Sequence, residues 1–220
     1  MRFVLLPLAA YVIGATPFGV ILARLHGVDL RRVGSGNVGA TNVARVLGRS
    51  WAYLCFALDV AKGLLPVALA GAMIRRADQT VPSALDQAAW LAVGLGAVLG
   101  HVFSFYLRFR GGKGVATALG VVLGMYPYFT AAGLAALGLW VVVTLTSRYV
   151  SLGSIVAAVA FVPLFAAFNW NVVGRLWPLG VFGMAVAALI VVRHRGNIRR
   201  LLAGTENKIG RRKDDAPEST

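Results

Sequence analysis

Three segments of this chain gather glycine, basic and hydroxylic residues in the pattern that holds an oxyanion. The first is Val33-Gly34-Ser35-Gly36-Asn37-Val38-Gly39-Ala40-Thr41-Asn42-Val43-Ala44-Arg45. Gly34, Gly36 and Gly39 let the backbone approach a ligand and adopt positive φ. Ser35, Asn37, Thr41 and Asn42 add hydroxyl and amide donors, and Arg45 is a planar fork for phosphate. The second runs from Gly100-His101 through Phe109-Arg110-Gly111-Gly112-Lys113-Gly114-Val115-Ala116-Thr117. Here freed glycine amides, a helix start and the charge of Lys113 combine into an anion site. His101 is either a helix-end residue or, beside a phosphate loop, an acid, base or donor. The third runs from Arg193-His194-Arg195-Gly196-Asn197 to Gly204-Thr205-Glu206-Asn207-Lys208. A polybasic segment that holds anionic lipid accounts for its arginines, but not for Asn197 or Glu206. The Glu206 carboxylate can orient Lys or Arg, or receive the hydroxyls of a polyol.

Two nucleotide motifs are close and fail. Gly34–Gly39 matches the dinucleotide fingerprint G-x-G-x-x-G, with Asp59 downstream, but no strand precedes it and no βαβ unit surrounds it. A nucleotide P-loop needs G-x-x-x-x-G-K-[ST]; Leu107 stands where its first glycine belongs and Gly114 follows the lysine. Anchoring of the membrane by Arg108, Arg110 and Lys113 is the plainer alternative for the second segment. Asp59 and Lys62 share a face of an apolar helix and are expected to support the site as a pair. Ser151 and Ser154 open another apolar helix, where serines serve as caps. Cys55, the lone cysteine, reads as a small buried hydrophobe and excludes an internal disulfide or a cysteine-based metal site. No metal or cofactor is expected.

The elements that position these segments are membrane helices. The 220 residues are 58% hydrophobic and 14% charged, with a formal net charge of +14; a soluble domain carries about a quarter charged residues. The basic residues sit in short loops between apolar runs and form no extended face, so nucleic acid is excluded as a partner. Runs long enough for a bilayer fall at about 3–24, 51–74, 87–107, 127–146, 150–169 and 177–193. Val115–Tyr126 is shorter and is read as a further span, or as a helix completed by the glycines before it. The expected fold is all-α, with seven transmembrane helices.

The loops at Arg24–Ser50, Arg108–Lys113, Thr146–Ser151 and from Arg193 onward carry most of the Lys and Arg, whereas the alternate loops hold only Arg2, Arg75, Arg76 and Arg175. The positive-inside rule then places the N-terminus outside and the C-terminus in the cytoplasm. Trp51, Trp90, Trp170 and Trp177 fall at span ends, as an aromatic belt requires; Trp140 does not. Residues 1–210 are expected to form one domain and 211–220 a disordered polar tail.

Together these segments resemble the bacterial acyl-phosphate-dependent glycerol-3-phosphate acyltransferase family (PlsY). Gly34-Ser35-Gly36-Asn37-Val38-Gly39-Ala40-Thr41-Asn42, Gly100-His101 with Phe109–Thr117, and His194 through Glu206 carry the resemblance, with Arg148-Tyr149-Val150-Ser151-Leu152 and Leu58-Asp59 with Lys62-Gly63 beside them. It extends from the first span to about residue 208. Arg110, where the family more often has lysine, and Phe103-Ser104, where proline is common, depart from it without changing charge or glycine spacing.

The resemblance implies transfer of a fatty acyl group from acyl phosphate to the 1-hydroxyl of sn-glycerol 3-phosphate, giving lysophosphatidic acid and phosphate at the cytoplasmic face of the bacterial inner membrane. Acyl phosphate, sn-glycerol 3-phosphate and membrane lipid are the implied partners, with the soluble enzyme that makes acyl phosphate as a candidate. It carries over Ser35, Arg45, His101, Lys113, Ser154, His194, Asn197 and Glu206. In this scheme Ser35 and Asn197 donate to the oxyanion, Lys113 and Arg45 hold phosphates, and a substrate phosphate or His101 takes the hydroxyl proton. No histidine starts H-x4-D, the motif of the other large acyltransferase class, because Arg31, Tyr106 and Arg199 stand at the aspartate position. A transporter of phosphate or a phosphorylated metabolite is the competing class. It would place its site near the midplane between paired halves, and no paired halves are visible.

Overall fold

The computed structural model describes residues 2–74 and 81–209; Arg75, Arg76 and the tail 211–220 lie outside the described residues. Every described regular element is helical. In hydrocarbon a backbone must satisfy its own hydrogen bonds, which leaves helices as the open-chain solution. The elements are α1 (Arg2–Ala15), α2 (Phe18–Leu25), α3 (Ala40–Val46), α4 (Arg49–Ile74), α5 (Ala84–Val102), α6 (Val115–Gly124), α7 (Thr130–Ser147), α8 (Val150–Phe168), α9 (Trp177–Arg193) and α10 (Arg195–Leu202). Six stretches are long and apolar enough to cross a membrane.

Two spans differ from the sequence expectation. The first run is broken at Thr16-Pro17 into α1 and α2. Proline has no N–H to continue the ladder, and the freed carbonyls of Ala15 and Thr16 accept from Ser104 and Lys62. The glycines before Val115 do not lengthen α6, because Gly114 sits at φ 85° and residues 110–114 are irregular. At 10 residues α6 is about 15 Å long, roughly half a hydrocarbon core. Its far end nevertheless meets the far ends of other helices. Asn169, after α8, donates to the Tyr128 carbonyl in the α6–α7 turn at 3.0 Å, and Gln87 near the start of α5 donates to the Arg175 carbonyl before α9 at 2.9 Å.

Small residues draw the helix backbones together, as packing without a hydrophobic drive requires. A Cβ on Gly100 would lie 2.3 Å from the Tyr11 carbonyl, joining α5 to α1, and one on Gly120 would lie 2.0 Å from the Val60 carbonyl, joining α6 to α4. Below them Phe129 meets Phe161 and Phe165 edge-on at 5.0 and 5.1 Å. Trp90 is not an interfacial tryptophan. It is fully buried, donates to the Val67 carbonyl at 2.8 Å and packs on Gly71. Trp51, Trp170 and Trp177 are exposed. Trp140 uses its indole N–H on Ser154 at 3.2 Å, between α7 and α8. After α9 the chain turns at His194 into α10, which buries Asn197 and exposes Leu202, as an amphipathic helix along a membrane surface does.

Candidate active site

The 26–48 segment is seated by its apolar residues. Leu30 and Val43 are fully buried against Ala23 of α2 and Cys55 of α4. Asn42, also buried, is the internal brace of this loop. Its carboxamide oxygen accepts from the Ser35 amide at 2.8 Å, and its NH2 donates to the Leu30 and Val33 carbonyls, both at 3.1 Å. The expectation that Asn42 and Asn37 face a ligand as free donors is therefore corrected for Asn42, whose amide is fully engaged with backbone. The Asn37 oxygen accepts from the Gly39 amide at 2.9 Å. Gly34 and Gly36 have φ of 62° and 68°, whereas Gly39 is extended and starts α3. This folding leaves Ser35, Thr41 and Arg45 on the exposed side.

The second loop also differs from the expected cradle. The Gly111 and Gly112 amides are not free for an anion: they cap the end of α5, donating to the Val102 and His101 carbonyls at 3.0 and 3.1 Å. Gly112 is needed for close approach, since a Cβ there would lie 2.2 Å from the His101 Nε2. Arg193 holds the other side of the loop, its Nη2 donating to the Gly111 and Gly112 carbonyls at 3.1 and 3.2 Å. Sequence reasoning missed this role, counting Arg193 only as an anchoring charge; its position beside His194 at a span end was the available signal. The remaining anion-binding elements of the loop are Lys113 and the first turn of α6, which no side chain caps.

Lys113 reaches out of this loop to the third segment. Its ammonium donates to the Asn197 carboxamide oxygen, and the Asn197 NH2 donates to Glu206 Oε1 at 2.7 Å. Glu206 also accepts from Ser151 at 3.0 Å and from Arg200 Nε at 2.7 Å. Burial alone would raise the Glu206 pKa, but the Asn197, Arg200 and Ser151 donors hold it below the ordinary range. Burial depresses the Lys113 pKa to about 8. Glu206 opposes the shift, and Arg200, Arg45 and Arg193 reinforce it. Arg45 interacts electrostatically with Glu206 and Lys113, so the first segment faces the other two.

His194 is buried, with Nδ1 at 2.7 Å from the Ile190 carbonyl. Burial, then Lys113, pushes its pKa down to about 4. The ring is therefore neutral at working pH, with Nδ1 as donor and Nε2 left as an acceptor. That chemistry suits a hydroxyl better than a phosphate. Ser154 is turned away from the network: it donates to the Val150 carbonyl at 2.8 Å and accepts from Trp140. Ser151 is likewise no helix cap, since its hydroxyl goes to Glu206. Lys208 lies over the Tyr149 ring at 5.5 Å, and the Ile209 amide bonds the Arg148 carbonyl, fastening the C-terminal segment to the α7–α8 turn.

Behind the loops lies a buried charged cluster. Asp59 pairs with Lys62 at 2.6 Å and lies 3.7 Å from His101 Nδ1. Lys62 donates to the Thr16 carbonyl at 2.8 Å. These residues and Ser104 line a small cavity beneath the break in the first span. His101 is thus placed between Asp59 and Gly112, on the inner side of the loop that carries Lys113.

This arrangement brings a lysine, several arginines, a neutral histidine and a braced glycine turn to one end of a helical bundle. The chain as a whole matches known proteins in sequence and fold. The glycerol-3-phosphate acyltransferase family model matches residues 4–204. The chain is 47% identical over 205 residues to the glycerol-3-phosphate acyltransferase of Geobacter sulfurreducens, covering 93% of this chain and 96% of that one. It is 43% identical over 211 residues to the same enzyme of Aquifex aeolicus, covering 94% and 100%. Two crystal structures of PlsY (YgiH), an integral membrane glycerol 3-phosphate acyltransferase, superpose with TM-scores of 0.83 and 0.80 at 40% and 38% identity, each covering 96% of both chains. They are a glycerol 3-phosphate form and a lysophosphatidic acid form. The chain is a membrane-embedded member of the glycerol-3-phosphate acyltransferase family.

Proposed function

We propose that this acyltransferase takes its acyl group from acyl phosphate and delivers it to the 1-hydroxyl of sn-glycerol 3-phosphate at the cytoplasmic face. The observation that carries this reading is the joining of Lys113, Asn197 and Glu206 across two basic segments, with Arg45 of the first segment beside them. Both reactants are phosphate anions, and cations from separate loops suit two of them. Lys113 exchanges Asn197 for a substrate phosphate, Arg45 holds the second phosphate, and Ser35 and Asn197 donate to the carbonyl oxygen as charge develops on it. His194 Nε2 accepts from a glycerol hydroxyl and orients it.

The hydroxyl oxygen attacks the acyl carbon, the bond from that carbon to the phosphate oxygen breaks, and the hydroxyl proton ends on phosphate. A phosphate monoanion–dianion couple near pH 6 is a stronger base than an imidazole near 4. His101 is a positioning residue here, set between Asp59 and Gly112, and Glu206 is the buttress that aims Asn197. The mixed anhydride already has a good leaving group, so positioning and charge stabilisation supply the acceleration.

The membrane reading has seven crossings, α6 making the short one, with the N-terminus outside. It rests on the meeting of basic loops at one end and of Tyr128, Asn169, Gln87 and Arg175 at the other. Asn207→Cys and Asn171→Cys should label from opposite sides of sealed vesicles; labelling from the same side would refute it. For the reaction, purified protein in detergent should release phosphate from acyl phosphate only when glycerol 3-phosphate is present, with 1-acylated product in equal amount. Release independent of glycerol 3-phosphate, or none, would overturn the assignment of the donor.

A further inference from the structure

The second and third basic segments touch at two points. One is the Lys113–Asn197 bond. The other is Arg193 on the Gly111 and Gly112 carbonyls. These points alternate along the chain, Gly111-Gly112-Lys113 against Arg193 and Asn197, so together they fix the loop's distance and rotation relative to α9 and α10. They differ in one respect. In the reaction scheme above the Lys113 ammonium moves to a substrate phosphate, which opens the first link. The Arg193 link has no reason to open.

The surroundings of Arg193 favour a functional role over simple fastening. Its Nε is buried without a hydrogen-bond partner, and among the described residues no carboxylate pairs with it. Its guanidinium carbon lies 6.0 Å from the centre of the Phe103 ring. A buried guanidinium N–H left unbonded beside apolar helix ends is costly as mere packing. Beside an anion site its charge is useful, and its planar fork matches two consecutive carbonyls.

We propose that Arg193 is a positioning residue for acyl transfer, holding the Gly111–Gly112 carbonyls so that Lys113 stays aimed when its ammonium leaves Asn197 for substrate phosphate. This rests on the assignment of Lys113 to a phosphate. Its charge also acts on Lys113 together with Glu206, Arg200 and Arg45.

The test is a double-mutant cycle on full-length protein in detergent. Arg193→Gln should lower kcat/KM for glycerol 3-phosphate by about 100-fold, the scale of a misplacement near 1 Å. In the Lys113→Ala background the same change should lower it by no more than about threefold, because the two residues act as a unit. The alkaline limb of the kcat/KM profile, set by Lys113, should move to higher pH in Arg193→Gln, since a neighbouring positive charge is gone. Arg193→Lys keeps the charge but not the fork, so its limb should stay in place while activity falls. That variant decides the question if Arg193→Gln does not fold. Losses that multiply in the cycle, or full activity in both Arg193 variants, would overturn the role of Arg193 alone. Full activity in Lys113→Ala would overturn the phosphate assignment beneath it.

Discussion

The ammonium of Lys113 and the carboxamide oxygen of Asn197, separated by 84 positions in the chain, meet in a hydrogen bond. The bond joins the glycine-rich loop before α6 to the amphipathic helix after the last span. It keeps a partly buried cation oriented before any substrate arrives, so that in the proposed reaction a phosphate replacing Asn197 would find Lys113 already in place.

To hold phosphate as proposed, Lys113 must be charged, and burial with nearby arginines brings its pKa to about 8. Its charge is full below that value and is lost above it. The kcat/KM for glycerol 3-phosphate should therefore fall on an alkaline limb centred near 8 in the free enzyme. Lys113→Arg, which stays protonated, should lose that limb even though its overall rate is lower. Lys113→Ala should lose about 100-fold or more, the scale of removing one preorganised electrostatic contact. A flat profile to pH 9.5 in the parent protein would contradict this reading.

His194 should remain neutral through the working range. With a pKa near 4, its imidazole nitrogen shifts should show the Nδ1–H tautomer down to about pH 5, as read by nitrogen NMR on selectively labelled protein. His194→Ala removes the acceptor and should cost about 100-fold in kcat/KM. His194→Gln puts an oxygen near the position of Nε2 and should recover part of that loss. A titration near pH 6.5, or equal activity of the alanine and glutamine variants, would show that this nitrogen is not a hydroxyl acceptor.

Much of this site was legible in the sequence. Glycine and charge cluster where the apolar runs end, and hydropathy alone locates those ends. The division of labour within the loops was not legible. Asn42 and Asn37 look alike on paper, yet only the fold shows Asn42 buried and bracing the Ser35 amide. The amides of Gly111 and Gly112 look available until the end of α5 claims them. Arg193 and Arg195 are indistinguishable by pattern, and the geometry at the end of α9 selects Arg193. Ser154 and Trp140 needed the α7–α8 register to become a pair. Periodicity locates faces of single helices; it does not say which distant backbone will take a donor.

The Asp59–Lys62 pair was visible from its spacing, and the structure gives it consequences for stability. Both groups are buried and in contact at 2.6 Å. Neutralising one leaves the other a buried charge without its ion partner, at about 3–5 kcal/mol. Asp59→Asn alone, or Lys62→Met alone, should therefore lower the unfolding midpoint in detergent markedly. The double variant Asp59→Asn with Lys62→Met should be more stable than either single one, because no unpaired charge remains. A double variant whose loss equals the sum of the single losses would mean that the pair is not coupled in this way.

The glycines of the first segment should differ in tolerance although their spacing makes them look equivalent. Alanine at Gly34 meets two penalties. Its φ of 62° is costly for an L-residue by about 1–2 kcal/mol, and its Cβ would lie 2.2 Å from the Asn42 oxygen. Asn42 cannot step aside without releasing three backbone hydrogen bonds. Gly36 has the same backbone conformation, but its Cβ would meet only the Arg31 carbonyl, at 3.2 Å. Gly39 has negative φ, with the Asn37 oxygen at 3.3 Å. Activity and thermal midpoint should accordingly fall most in Gly34→Ala, less in Gly36→Ala and least in Gly39→Ala. Gly138→Ala, in α7 with nothing within 4 Å, should gain stability by about 0.5–1 kcal/mol from helix propensity and serves as the internal standard. If Gly39→Ala proved as damaging as Gly34→Ala in activity while leaving the midpoint unchanged, close approach of a ligand at Gly39 would outweigh the loop's own geometry.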